Sequence, residues 1–255
     1  MDSQDWDPGA CPTPVDRAAM VHWWDELTFL HWRYEPDEVQ RLLPAGLEVE
    51  TIDGSAWVGL VPFFLKVGLP GVPSIPWASR FAETNVRTYV RSADGERGIW
   101  FFSLDAARLG AVVVARATYR LPYFWSAMRL EQDGPRFRYE CHRRWPGPKG
   151  ASSLVEVEVG EPFATDELAE LDHFLTARWA LYSSPRSGLH RARASHDPWP
   201  LHRARVLHLD DELVAAAGLR PPEGEPLVHH SPSVAVRIGW PYDVADPTQS
   251  TSVST

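Results

Sequence analysis

Residues 83–90 read ETNVRTYV, and the way they sit decides the fold. As a β-strand, the stretch sends Glu83, Asn85, Arg87 and Tyr89 to one face and Thr84, Val86, Thr88 and Val90 to the other. Every side chain on the first face can hydrogen-bond, and two carry opposite charges. Such a face belongs either to water, as in an ordinary half-buried antiparallel strand, or to the wall of an enclosed site. Alternation alone leaves both readings open.

The surrounding sequence is rich in similar segments. Apolar or aromatic runs occur at 22–33, 46–52, 55–66, 81–91, 97–103, 124–131, 136–144 and 152–159. AspGly at 53–54, AlaAspGly at 93–95 and GlnAspGlyPro at 132–135 punctuate them as hairpin turns do. This spacing predicts a mainly β fold, a barrel or a sandwich. Helices are fewer. PDEVQRLL (36–43) starts with Pro and acids and stops before Pro44. Residues 105–119 can follow as a helix after Ser103, weakened by Gly110 and three valines. The spacing of Leu168, Leu171, Leu175 and Trp179 predicts one helix over 165–183, with those four as its buried stripe. A short helix is expected over 210–219, stopped by Gly218.

Composition narrows the class. The chain has 255 residues, 44% hydrophobic and 23% charged, enough for a sizeable core. One domain is expected over 19–243, with disordered tails at 1–18 and 244–255. The net charge of −9 argues against a nucleic-acid partner. Cys11 and Cys141 are the only cysteines and form no visible framework, which suits a cytoplasmic protein. No run of 18 apolar residues predicts a membrane span, and the acidic, Pro-rich start lacks the features of a signal peptide. A homo-oligomer is compatible with all of this.

Few familiar chemistries survive inspection. His229 and His230 are adjacent and would point apart in a strand, while His196, Asp197 and His202 fall in a Pro-rich stretch read as a loop. No HExxH or Cys/His array is present, so no metal is expected. A GxSxG elbow and Gly-rich phosphate loops are equally missing from the sequence, so no nucleotide or other cofactor is expected. The stretch WFFSLDAARLGAVVVARATYRLPYF (100–124) is richer, scattering Asp105, Arg108, Arg116, Tyr119, Arg120 and Tyr123 among aromatics. It reads equally as a core strand and helix with paired arginines, or as an aromatic-walled pocket with Arg donors for a carboxylate.

Taken in order, HWRYEPDEVQRLLPAGLEVE, DGSAWVGLVPF, ETNVRTYV, GIWFFSLDA, YRLPYF, HDPWPL and HHSPSVAVRI resemble the YqjF-like family, also called DUF2071. The resemblance spans about residues 20–240. That family is similar to the acetoacetate decarboxylase superfamily. The resemblance implies a cone-shaped antiparallel β-barrel with flanking strands, a few peripheral helices and a ligand cavity inside. It assigns Arg33, on the first strand, and Glu83 to the catalytic site, and turns the polar face of ETNVRTYV inward. It also exposes a departure. Acetoacetate decarboxylases use a Schiff-base lysine with a second lysine beside it. Here Leu121 and Pro122 stand at that place, and the chain has only Lys66 and Lys149, both in loop-like settings. Leucine supplies no amine, and the guanidinium of Arg120 stays protonated.

The resulting expectation is an enzyme of acetoacetate decarboxylase-like fold without the Schiff-base lysine. Glu83, Arg33 and Tyr119 would be catalytic, with Asn85, Arg87, Arg120 and Tyr123 binding the substrate. The substrate would be a small carbonyl or carboxylate compound, processed by acid–base chemistry of lyase, dehydratase, isomerase or cyclase type in secondary metabolism. The alternatives are a non-catalytic small-molecule binder using the same cavity, and a structural protein whose cavity is only apolar core.

Overall fold

A computed structural model describes residues 9–68, 80–184 and 188–244. The elements, in chain order, are β1 (Met20–Tyr34), α1 (Pro36–Gln40), β2 (Leu47–Val49), β3 (Ala56–Gly68), β4 (Arg80–Ser92), β5 (Arg97–Ala106), α2 (Leu109–Thr118), β6 (Tyr123–Asp133), β7 (Arg136–Trp145), β8 (Ser152–Pro162), a 3-10 turn (Thr165–Glu167), α3 (Glu170–Thr176), β9 (Ala180–Ser183), β10 (His190–His196), β11 (His202–Asp211), α4 (Leu213–Ala216), β12 (Leu227–Ile238) and β13 (Tyr242–Asp243). None of the described helices is long and apolar enough to cross a membrane.

The strands join into one sheet that closes on itself. From β5 the pairings run through β6, β7, β8, β11, β12, β1, β3 and β4 back to β5, forming a closed barrel. A shorter arc, β12–β10–β9–β5, closes a second ring on the other side of the same wall. The middle stretches of β1, β3 and β4 are therefore buried on both faces. Leu27, Phe29, Val61, Phe63 and Tyr89 face one core, while Leu30, Trp32, Val58, Leu60 and Val86 face the other. Burial on both faces explains why β3, AWVGLVPFFLKVG, is almost continuously apolar. In β1 the alternation shifts at a bulge around Glu26, whose φ of 51° lets Trp24 and Leu27 serve the same core.

Several expectations need correction. The barrel is mixed rather than purely antiparallel. β5 runs parallel to β6 and to β9, because α2 carries the chain from β5 across to β6. Residues 165–183 do not form one helix. Of the predicted stripe, Leu175 is fully buried and Leu168 and Leu171 pack against the core, but Trp179 lies past the end of α3 and is only half-buried. However, Ala180–Ser183 leaves the helical path to pair with both β5 and β10. Those ladder bonds satisfy backbone groups that a helix ending there would leave to solvent. His196 and His202 lie on β10 and β11 rather than in a loop. Residues 9–18 are tied down in place of fraying: Val15 is buried, its N–H donates to Ser195 Oγ, and Arg237 donates to the Val15 and Asp16 carbonyls. The expected tails at 1–8 and 245–255 lie outside the described residues.

Gly98 shows how closely β9 approaches β5. A Cβ there would sit 2.6 Å from the Ala180 carbonyl oxygen and 2.7 Å from the Tyr182 ring. Backbone cannot retreat as a flexible side chain can, so Gly98→Ala should cost about 1–3 kcal/mol of unfolding free energy. Urea denaturation is the check, and an unchanged midpoint would mean that β9 moves away freely.

Candidate active site

The inner core holds a cavity of about 450 Å³. Its walls are apolar: Leu27, Phe63, Leu65, Phe81, Phe101 and Leu104 contribute from β1, β3, β4 and β5. Polar groups enter mainly from β4. Glu83, Asn85 and Arg87 project into it together, all less than 6% exposed. ETNVRTYV thus has no solvent face at all. Its polar face lines the cavity, and Val86 on the other face packs in the second core.

Each of the three is held differently. Glu83 receives a hydrogen bond from Tyr123 Oη at 3.0 Å, where β6 begins beside β5. Burial pushes the Glu83 carboxyl up to about 8, opposed by the Tyr123 hydrogen bond and aided by the charge of Asp105. At neutral pH it is a carboxylic acid. Burial, then the neighbouring Glu83, raises Tyr123 well above an ordinary phenol, so its hydroxyl remains a donor. Arg87 donates through Nη2 to the Leu175 carbonyl (3.3 Å) and to Tyr89 Oη (3.4 Å), and lies over the Phe29 ring. Tyr89 Oη itself donates to the Leu175 carbonyl at 2.6 Å. Its single proton is thereby used, so the 2.5 Å contact from His31 Nε2 is a donation by the ring. This chain, anchored on the C-terminal end of α3, fixes the guanidinium.

Two features mark the site as unfinished. Among the described residues, no carboxylate stands within ion-pair distance of Arg87, although it is 4% exposed, and its Nε has no hydrogen-bond partner. Asn85 Oδ1 is buried without a partner as well. An unpaired buried cation is costly, and an anion supplied by a ligand would offset that cost.

The remaining expected site residues divide. Tyr119 and Tyr123 line the cavity; Tyr119 Oη donates to the Gly239 carbonyl, and burial raises it to about 12. Leu121, which the resemblance sets at the place of the Schiff-base lysine, also faces the cavity. No lysine lines it among the described residues: Lys66 lies over the Trp23 ring and Lys149 is exposed. Arg33 does not reach the site. It follows Leu27, Phe29 and His31 on the same face of β1, but six residues beyond Leu27 place it about 20 Å further along the strand. There it is exposed, stacked on Trp57 at the far end of the barrel. Arg120 is also displaced. Its φ of 56° sets it between two cavity-facing neighbours, and it faces a separate outer cleft with Arg116, Trp100 and Phe102. Asp105 and Arg116 follow the structural reading of their segment, Asp105 in a buried ion pair and Arg116 donating to the Tyr123 carbonyl.

Sequence reasoning missed His22, which lines the cavity from the start of β1. Burial lowers it to about 4, so it is neutral. Its Nδ1 accepts from Trp24 Nε1, leaving the proton on Nε2. The bulge near Glu26, which sets the register of β1 against β3, brings it there. Among the described residues, no group of three or more His, Cys, Asp or Glu side chains is arranged to hold a metal ion.

Comparison with known proteins agrees with this architecture. Residues 22–235 match the model of the DUF2071 family, described as "Uncharacterized conserved protein (COG2071)". The chain is 35% identical over 219 residues to "Uncharacterized protein YqjF" of Bacillus subtilis, covering 86% of this chain and 89% of that one. Among solved structures, an acetoacetate decarboxylase-like enzyme from Sphingomonas wittichii RW1 superposes with a TM-score of 0.62 at 15% identity, over 90% of this chain and 94% of its own. The enduracididine biosynthesis enzyme MppR complexed with pyruvate gives 0.61 at 14%, over 92% and 94%. Acetoacetate decarboxylase from Legionella pneumophila gives 0.59 at 13%, over 97% and 100%. The chain belongs to the DUF2071 family and has the acetoacetate decarboxylase-like fold.

Proposed function

We propose that this protein is an acid–base enzyme acting on a small carbonyl or carboxylate compound, without an imine-forming lysine. Arg87 takes the substrate's carboxylate or enolate oxygen. Glu83, neutral at pH 7, gives a proton to the developing carbanion or leaving oxygen, and Tyr123 holds the resulting carboxylate with its hydroxyl. The reverse transfer makes ionised Glu83 a base, so the pair serves lyase, dehydratase, isomerase or cyclase steps alike. The observation that carries the reading is the neutral, buried Glu83–Tyr123 pair beside an unpaired Arg87 in one cavity. MppR, with pyruvate in its structure, supports a keto-acid ligand for this fold.

The test is turnover of a panel of keto acids and enolisable ketones, with borohydride added in a parallel arm. Wild type should convert at least one compound, and Glu83→Gln should lower that rate by about 10²–10⁴. Mass spectrometry should find no reduced adduct on Lys66 or Lys149. A lysine adduct, with turnover lost when that lysine is replaced by Ala, would overturn the lysine-free mechanism. Tight binding of a panel member with no turnover would favour a binding protein instead.

A further inference from the structure

The size and lining of the cavity bear on what its ligand is. A volume of about 450 Å³ corresponds to roughly 15 non-hydrogen atoms at about 30 Å³ each. A four-carbon keto acid fills less than half of that. The one charged group, Arg87, lies with Asn85 toward one end, and neutral His22 stands alone opposite Val67 at the other. Glu83, Asn85 and Arg87 pair with Phe63, Val61 and Gly59 on β3. Beyond Phe63, the same strand contributes Leu65 and Val67 to the lining, joined by Ile238 of β12 and Ala111 and Ala115 of α2. The lining reaches the surface along α2, where Val114 is 60% exposed. The deep end is thus cationic and hydrogen-bonding, and the path to the surface is mainly apolar, with neutral His22 on one wall and small helical residues flanking it.

We infer that the ligand is an apolar-tailed anion, a carboxylate or keto acid with a chain of about ten to twelve carbons, its head at Arg87 and its tail running out beneath α2. This deepens the proposed function by naming a substrate class for the same site. A short keto acid would leave an unfilled apolar chamber, whose walls gain nothing from its binding. Each added methylene instead removes apolar surface from water on both sides, worth about fourfold in affinity.

The experiment is calorimetric titration with straight-chain carboxylates of increasing length, from butanoate to dodecanoate, at pH 7. Affinity should rise about fourfold per methylene and level off near dodecanoate. Ala111→Phe and Ala115→Phe should each abolish the gain from the outer methylenes while leaving butanoate binding unchanged, with circular dichroism verifying the fold. Arg87→Met should weaken every member by a similar factor. Equal affinity across the series would overturn the inference, as would a length dependence that neither phenylalanine variant alters. Because this is read as binding, it is independent of turnover. A length ladder without catalysis would remove the enzyme reading and keep this one, whereas catalysis on short keto acids without a ladder would do the reverse.

Discussion

Glu83→Gln should make the protein more stable, and increasingly so as pH rises. In the unfolded chain a glutamate loses its proton near pH 4.5, whereas burial in the cavity holds the native carboxyl to about 8. Below pH 4.5 both states are protonated, and the group has no effect on the balance. Between 4.5 and 8 the unfolded state releases a proton that the native state keeps. The unfolded state then binds fewer protons, so stability falls with pH by about 1.4 kcal/mol per unit. Above 8 the loss is complete, on the order of 4–5 kcal/mol. Glutamine keeps the shape and can still accept from Tyr123, but it cannot ionise. The difference in unfolding free energy between variant and wild type should therefore be near zero at pH 4.5 and reach several kcal/mol at pH 8.5. Guanidinium denaturation across that range measures it. A flat difference would mean that Glu83 titrates as an ordinary exposed acid, and the case for a neutral proton donor would go with it. Loss of turnover combined with a gain in stability is the signature of a group kept for function at a cost to the fold.

Breaking the Asp105–Arg143 pair should have the opposite sign and a similar size. The two side chains are essentially inaccessible, and they meet through Arg143 Nη2 on Oδ2 at 2.6 Å and Nε on Oδ1 at 2.9 Å. Ser126 donates to Asp105 at 2.7 Å, and the guanidinium lies 3.8 Å from the Phe124 ring centroid. The pair thus clamps β5 and β7 across β6 at the end of β5 that joins α2. Arg143→Met leaves a buried carboxylate without its cation and should cost about 3–5 kcal/mol. The double replacement Asp105→Leu with Arg143→Met removes both charges together, and should recover a large part of that loss. Thermal denaturation of the set tests this. If the double variant is no better than Arg143→Met, packing rather than charge governs the site. The two sites also communicate, because Asp105 helps to raise Glu83. Asp105→Asn should lower the pH at which Glu83 titrates.

The sequence by itself determined most of the strand content and the alternation of β4, while the choice of its inward face rested on the family resemblance. Period-two alternation in ETNVRTYV and the long apolar run of β3 are local signals, and burial on both sides leaves them intact. It also determined that the stretch from Tyr119 to Tyr123 contains no lysine, because the absence of an amine at Leu121 needs no coordinates. The tertiary structure decided the rest. Residues 165–183 carry helical periodicity, yet β5 and β10 draw Ala180–Ser183 into a ladder that no local pattern announces. Arg33 has the right alternation but the wrong distance along β1, and Arg120 sits in a turn whose positive φ directs it outward. His22 joins the cavity only because the bulge near Glu26 resets which residues of β1 face inward. Period and chemistry are written residue by residue, but register, bulges and barrel closure depend on pairings between distant segments, whose free energy appears only when both partners are in place.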